Sequence, residues 1–427
     1  MGRRIVTALD RPLEGGHRIP TGRGRMPRWL TTWGPAVASF LGALGYGLFL
    51  ALGTYQVDLG VYLRLGARYV FTPHLYSCVV PNTSLLFTYP PFAALLFVPW
   101  ERVFTTVHSV QTVWTICNLA ALIALLVLSL RLVKPDLGRS AAWRLGLLLS
   151  LPAMLLNPVV ITVAFGQVNL VVTLLVMWDL LSQRRIGSWQ APLGVATGLA
   201  AAVKLTPLFF VPYLILTRRT RGAVTCSVTF VVCEFVTFLI SPRSSRAYWT
   251  HALFKPERAG RLSYVANQNL AAAVERLHHA LVTNLVLAPW LVVVAAGGLW
   301  LAALAHRRSS PMLGLLVCAA TGLVVSPISW VHHLVWVIPA ILWLALGEDR
   351  PRLGLPLAIG TAVLFWIAPI WWVPYAGSDL HLSAWQLVAG DSFFFALLVF
   401  LVGTVVLLVR RRADRGTTGA QLVFDIG

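Results

Sequence analysis

The chain has 427 residues, of which 58% are hydrophobic and only 11% charged, against roughly a quarter charged in soluble domains; its mean hydropathy is +0.76. That composition excludes a soluble globular domain. A formal net charge of +19 points to nucleic acid only at first sight, because the Lys and Arg residues form short clusters between apolar runs, which read as topology signals; no nucleic-acid partner is expected.

Apolar runs of about 18 to 25 residues recur along the chain, and each can cross a hydrocarbon core of about 30 Å as a helix. The period is helical, which excludes a β-barrel, and the fold class is all-α and polytopic. Residues 1–30 are basic and rich in Gly and Pro and read as a cytoplasmic disordered segment. The apolar run after them is too long for a signal-peptide core and reads as an uncleaved anchor. The first helix, about residues 31 to 54, then delivers Asp58 to the outer side. Further inner loops are marked by "RLVKPDLGR", "QRRIG", "TRRTRG", "HRR", "EDRPR" and the tail "RRRADR". The domains read as a polytopic unit over 31–410 and a cytoplasmic tail over 411–427.

The same clusters constrain the path between them. "APLGVATGLAAAVKLTPLFFVPYLIL" lies between two inner loops, so it is expected to be a hairpin of two short helices with Lys204, Thr206 and Pro207 at its outer tip. "YPPFAALLFVPW" reads as a re-entrant or outer-surface helix. "SYVANQNLAAAVERLHH", within the polar segment 241 to 282, reads as one amphipathic helix on the membrane. About 12 membrane helices are expected, with short re-entrant elements. No internal repeat is evident, which counts against inverted-repeat transporters. The cysteines show no CxxC pairing and suggest neither disulfides nor a metal site.

Several outer residues carry chemistry. Asp58 directly follows a span, with Arg64 and Arg68 close behind in "VDLGVYLRLGARYV". It reads either as an interfacial acid or helix cap, or as a base whose proton affinity is raised by partial burial. Lys204 is costly within an apolar stretch; it snorkels, pairs structurally, or receives an anion such as a lipid phosphate. His332 and His333, beside Ser326, Ser329 and Trp330, read as a polar wall able to orient a base, pass a proton or bind phosphate. Zinc is not indicated, since no HExxH or similar spacing exists. Gln167, Asn169, Asn267, Gln268 and Asn269 supply amides that suit sugar hydroxyls, or helix caps and turns. Glu234 is a mid-membrane carboxylate, either hydrogen-bonded between helices or coupling protons.

In order along the chain, "VDLGVYLRLGARYV", "FTYPPFAALLFVPW", "FGQVNLVVTLLV", "GLAAAVKLTPLFFVPYLIL", "NQNLAAAVERL" and "SPISWVHHLVWVIP" resemble the blocks of the actinobacterial polyprenol-phosphate-mannose-dependent α-1,2-mannosyltransferases, glycosyltransferase family eighty-seven. The resemblance covers about residues 30 to 410. Asn269 stands where family members commonly show Ser after the "NQ" pair.

The resemblance implies a GT-C fold and a multi-pass plasma-membrane enzyme with its active site facing the periplasm. It further implies transfer from polyprenyl-phosphate-mannose, a lipid-linked substrate rather than a cofactor, to a glycolipid acceptor, with no metal needed. The product would be an α-1,2 linkage on a phosphatidylinositol mannoside or on lipomannan or lipoarabinomannan. On this reading Asp58 is the catalytic base, and Lys204, with His332 or His333, stabilises the departing phosphate. Gln167, Asn169, Asn267, Gln268, Arg64 and Tyr62 are expected to bind substrate. Two other readings compete: a proton-coupled secondary transporter or lipid flippase using Glu234, and a non-catalytic partner subunit.

Overall fold

A computed structural model describes residues 32–424 apart from 55, 82, 105, 183–184, 187–188, 191, 279–283 and 375–381. The expected N-terminal segment 1–30 therefore lies outside the described residues, as do His279 and most of the polar part of the outer loop at 375 to 391. The protein is helical, and the described strands are one two-residue hairpin, β1 (Arg185–Ile186) with β2 (Trp189–Gln190).

Six described helices are long and apolar enough to cross a membrane: Trp33–Gly53, Val107–Val133, Thr220–Ile240, Val286–Arg308, Gly354–Trp372 and Ser392–Arg412. A bent pair, Asn157–Phe165 with Asn169–Leu181, makes seven if it is one span. The chain is thus a multi-pass membrane protein. Length and composition alone do not reach the expected 12, because the remaining apolar helices (Thr206–Leu216, Pro311–Val325 and Val331–Leu346) are short. Those short helices end at breaks, and the breaks carry the polar residues.

We number the helices used below in chain order: α1 (Trp33–Gly53), α2 (Val57–Gly60), α3 (Pro91–Val103), α4 (Val107–Val133), α5 (Asn157–Phe165), α6 (Asn169–Leu181), α7 (Val195–Val203), α8 (Thr220–Ile240), α9 (Leu270–His278) and α10 (Pro311–Val325). Helix α4 is the mast of the bundle: 61% of its apolar window is buried, against 22% for α1. A helix apolar all round belongs inside. Two of its buried polar side chains bond within their own helix, Asn118 Nδ2 donating to the Trp114 carbonyl and Ser129 Oγ to that of Leu125, while Gln111 Nε2 donates to the Thr54 carbonyl and Thr115 Oγ1 accepts from Gln56 Nε2.

Each break has a local cause. Between α5 and α6 the chain turns through 117° at Gly166, whose φ of +71° is left-handed. A Cβ there would also lie 2.6 Å from Leu59 Cβ, so only glycine suits the turn. Helix α7 stops at Lys204, which is extended (φ −151°, ψ 123°), and Pro207 follows one turn later. The start of α7 is capped from α6: buried Asp179 accepts from the Gly194 and Thr197 backbone N–H groups at 3.0 Å and from Thr197 Oγ1 at 2.7 Å. A carboxylate suits the positive end of a helix. The stretch "YPPFAALLFVPW" enters the 13-residue α3 at Pro91, a helix too short to cross, as expected for an outer or re-entrant element.

The amphipathic helix expected over "SYVANQNLAAAVERLHH" is shorter than the sequence pattern suggests. Helix α9 begins only at Leu270. Asn269 Oδ1 accepts the Ala272 N–H at 2.8 Å, and the residues before it give their backbone to another segment. Asn267 bridges Trp330, Gln268 N–H donates to the Ser329 carbonyl at 2.8 Å, and Val331 N–H to that of Ala266 at 3.0 Å. Fully buried Arg276 holds this arrangement. It donates to the carbonyls of Ser263, Tyr264 and Asn267 at 3.0 to 3.1 Å and forms an ion pair with Asp391.

Candidate active site

Asp58 sits on α2, which starts where Gln56 turns the chain in a left-handed conformation (φ 43°, ψ 61°). Gln56 is held there by its own side chain, whose Nε2 donates to the Val163 carbonyl at 2.8 Å. Helix α2 continues into a wide helical turn, Val61–Ala67, which carries Tyr62 and Arg64. Gln167, in the turn at Gly166, donates through Nε2 to Asp58 Oδ2 at 2.7 Å. Burial raises the Asp58 pKa from its ordinary 3.8 to about 6, and the Gln167 bond and the charge of Lys204 offset part of that rise.

Two residues further on, Asn169 opens α6 and accepts from Lys204 Nζ at 2.7 Å. Lys204 Nζ also lies 2.9 Å from His333 Nε2 and 5.6 Å from the centre of the Tyr89 ring. An ammonium has only donors, so that contact makes Nε2 of His333 the acceptor of a neutral ring. The turn "FGQVN" therefore ties the acid to the cation: Gln167 holds one, Asn169 the other.

Two cavities meet at this turn. The first, about 440 Å³, is lined by Asp58, Gln167 and His332, with Trp371, Tyr264 and Arg261 opposite. The second, about 520 Å³, is lined by Lys204, Asn169 and His333 and by apolar side chains including Phe209, Phe210 and Trp336. Tyr89, Arg258 and Trp330 line both and form the wall between them. The histidine pair straddles that wall, its rings 4.7 Å apart. Nε2 of His332 is buried without a hydrogen-bond partner among the described residues.

Asp58, Gln167, Asn169, Lys204, His332 and His333 are thus brought together. Tyr62 stands behind them, its hydroxyl donating to Gln167 Oε1 at 3.0 Å. Asn267 and Gln268 line neither cavity. They were expected to offer amides to sugar, but they are fully buried and bond to backbone: Asn267 to Leu262 and Ser329, Gln268 to Val265, Gly390 and Phe394. Arg64 lines neither cavity as well. Glu234 lies apart on α8, buried, with neither carboxylate oxygen hydrogen-bonded among the described residues.

Sequence reasoning missed Tyr89, Arg258 and the Arg276–Asp391 pair. Tyr89 stood inside a block read only as a re-entrant or outer-surface helix. Arg258 belongs to a polar segment with no periodicity to mark it. A buried ion pair 115 residues apart leaves no local signal.

Fold and site define a polytopic membrane protein whose polar centre divides an acid from a cation. The chain belongs to glycosyltransferase family 87, whose model matches residues 87–327, and it is a glycosyltransferase. It is 33% identical over 426 residues to a polyprenol-phosphate-mannose-dependent α-(1-2)-phosphatidylinositol mannoside mannosyltransferase of Mycobacterium tuberculosis, covering 95% of this chain and 96% of that one. It is 33% identical to a polyprenol-phosphate-mannose-dependent α-(1-2)-phosphatidylinositol pentamannoside mannosyltransferase of the same species, covering 83% and 81% of the two chains. A Mycolicibacterium smegmatis protein, named like the first, is 30% identical over 86% of this chain and 88% of its own. No solved structure matches the chain.

Proposed function

We propose that the protein transfers mannose from polyprenyl-phosphate-mannose to a mannose 2-hydroxyl of a phosphatidylinositol mannoside, with inversion, forming an α-1,2 linkage on the periplasmic side of the plasma membrane. The single observation that carries this reading is the turn that holds an acid in one cavity and a lysine in the next, through Gln167 and Asn169. The names of the relatives supply the donor and acceptor classes.

The apolar second cavity takes the lipid end of the donor, with its phosphate against Lys204 and His333. The aromatic first cavity takes the acceptor sugar, with its 2-hydroxyl against Asp58. Asp58 removes the hydroxyl proton as the oxygen attacks C1 of the donor mannose. The C1–O bond to phosphate breaks on the opposite face, and the bonding electrons leave with the polyprenyl phosphate.

A glycosidase needs a second carboxyl to protonate an alkoxide leaving group. A phosphate departs without that help, so one base and a fixed cation suffice, and the reading requires no resident cofactor. His332, facing the acid's cavity, offers its free Nε2 to a sugar hydroxyl; His333 completes the phosphate cradle. Tyr62, Asn267 and Gln268 act as positioning residues rather than as sugar ligands.

The test is incubation of purified protein with polyprenyl-phosphate-mannose and a panel of phosphatidylinositol mannosides and lipomannan, read by mass spectrometry. One added hexose on a phosphatidylinositol mannoside, α-1,2-linked, is expected. Addition only to lipomannan would move the acceptor. Proton-driven solute or lipid movement in liposomes that is lost in Glu234→Gln, without any glycosyl product, would replace the reading.

A further inference from the structure

We propose that Tyr62 and Tyr89 lock the Gln167 amide in one orientation, so that its NH2 group clamps one oxygen of Asp58 and leaves the other as the base. This rests on the proposed role of Asp58, and makes Gln167 and the two tyrosines positioning residues.

A primary amide is nearly symmetric in shape but not in chemistry. Turned one way, Gln167 donates to Asp58 Oδ2 at 2.7 Å. Turned the other way, it would set carbonyl lone pairs against carboxylate lone pairs, which buried groups tolerate badly. The choice is made by what meets the other end of the amide. Gln167 Oε1 accepts from the Tyr62 hydroxyl at 3.0 Å, which sets the orientation, while the Tyr89 hydroxyl meets both ends of the amide, accepting from Nε2 at 3.0 Å and donating to Oε1 at 3.2 Å, and so holds the amide plane in place.

Both phenols remain donors, since burial raises their pKa above the ordinary value and the neighbouring Asp58 charge adds to the rise. Both are also fixed by packing. Tyr62 is fully buried and stacks on Phe97 with centroids 4.5 Å apart, and Tyr89 tilts against it at 4.9 Å. The turn that carries Gln167 is itself braced, with Trp114 Nε1 donating to the Gly166 carbonyl at 2.8 Å. Oδ1 of Asp58 makes no hydrogen bond among the described residues, and Asp58 lines the first cavity. That oxygen is the atom left to take a proton.

The ionisable groups that face Asp58 are Tyr62 from its own segment, Tyr89 from the loop before α3, and His332, Arg258, Arg261 and Tyr264 from across the cavity. Lys204 acts on it through charge. Of these, Tyr62 and Tyr89 reach Gln167. Removing their hydroxyls frees the amide to turn, weakens the clamp and raises the proton affinity of Asp58 without removing a charge.

The test is the Tyr62→Phe/Tyr89→Phe double variant, which keeps both rings. Infrared difference titration, wild type against Asp58→Asn, reads the carboxyl directly and needs no substrate. The midpoint is expected to rise by about one unit, and the acid limb of kcat/KM with it, so that kcat/KM falls about fivefold at pH 6 and hardly at pH 8, with donor KM unchanged. An infrared midpoint that stays at the wild-type value overturns the lock, whatever happens to activity. A midpoint that rises in a protein that transfers no mannose keeps the lock and removes the proposed reaction. If the double variant does not fold, Tyr62→Phe alone carries the test, since the Tyr62 hydroxyl donates to Gln167 Oε1: the midpoint is again expected to rise, and an unmoved midpoint overturns the proposal.

Discussion

The two cavities are built alike but carry opposite charges at the turn they share, Asp58 in one and Lys204 in the other. Each has a polar corner supplied by the same turn and one histidine from the same pair, yet the first presents an acid among aromatic rings and the second an ammonium among apolar side chains. The difference teaches how a membrane enzyme handles a reaction whose charge moves. On the proposed reaction a proton is taken on one side of the sugar carbon and negative charge received on the other, so a base and a cation serve best when separated. If Asp58 and Lys204 were paired directly, each would neutralise the other. Placing an amide in front of each keeps both available while their fields still interact.

The comparison breaks most severely at the acid. Asp58→Asn keeps the shape and the Gln167 contact but removes basicity; mannose transfer is expected to fall by at least about 10³-fold, with binding of polyprenyl-phosphate-mannose unchanged in an equilibrium assay. Residual activity of more than a few per cent would remove Asp58 from the role of base. On the cation side, Lys204→Met should lower kcat about 10²-fold and weaken donor binding as well. Its effect on acceptor KM should be slight, and an acceptor-specific defect would reverse the assignment of the cavities.

Much of this was legible in the sequence, and the reason is physical. A charge in an apolar run is expensive, so Asp58 and Lys204 stood out against their surroundings, and Pro207 marked a break that carries polar groups. What was not legible depends on pairing across long separations. Asn267 and Gln268 read as sugar ligands because an exposed amide and an amide bonded to distant backbone are spelled the same way. Arg276, on a helix, and Asp391, 115 residues away, are each ordinary polar residues until the fold joins them. The amphipathic pattern before Leu270 misled for the same reason: tertiary hydrogen bonds to residues 329–331 outweighed local helix propensity. The helix count is not fixed by length and composition, because short helices that stop at breaks carry the same apolar signature as full crossings.

The wall between the cavities gives a smaller but more discriminating test. Trp330 lines both, and its ring is close-packed between Tyr264, at 6.1 Å between centroids, and Gly260. Trp330→Ala should join the two spaces and admit water to the donor carbon. Transfer to acceptor is expected to drop about tenfold, while free mannose released from polyprenyl-phosphate-mannose, measured without acceptor, rises. Loss of both activities together would show that Trp330 supports the fold rather than separating the substrates.

The smallest effect concerns stability and has the opposite sign to the first. Asp58 is half-buried and is protonated more readily in the folded protein, at about 6, than its ordinary value of 3.8. The linked stability is fully present below about pH 3.8 and is lost as pH rises through 6. At pH 7 the folded protein therefore holds an ionised acid at a cost. After discounting for the water that reaches the cavity, that cost is about 1–2 kcal/mol. Asparagine imitates the protonated acid at every pH. Asp58→Asn is accordingly expected to melt about 2 °C above the wild type at pH 7, with the gap closing towards pH 4. An inactive variant that is more stable at neutral pH, and only there, would mark Asp58 as a group kept for chemistry; a variant less stable at all pH values would make it a structural acid.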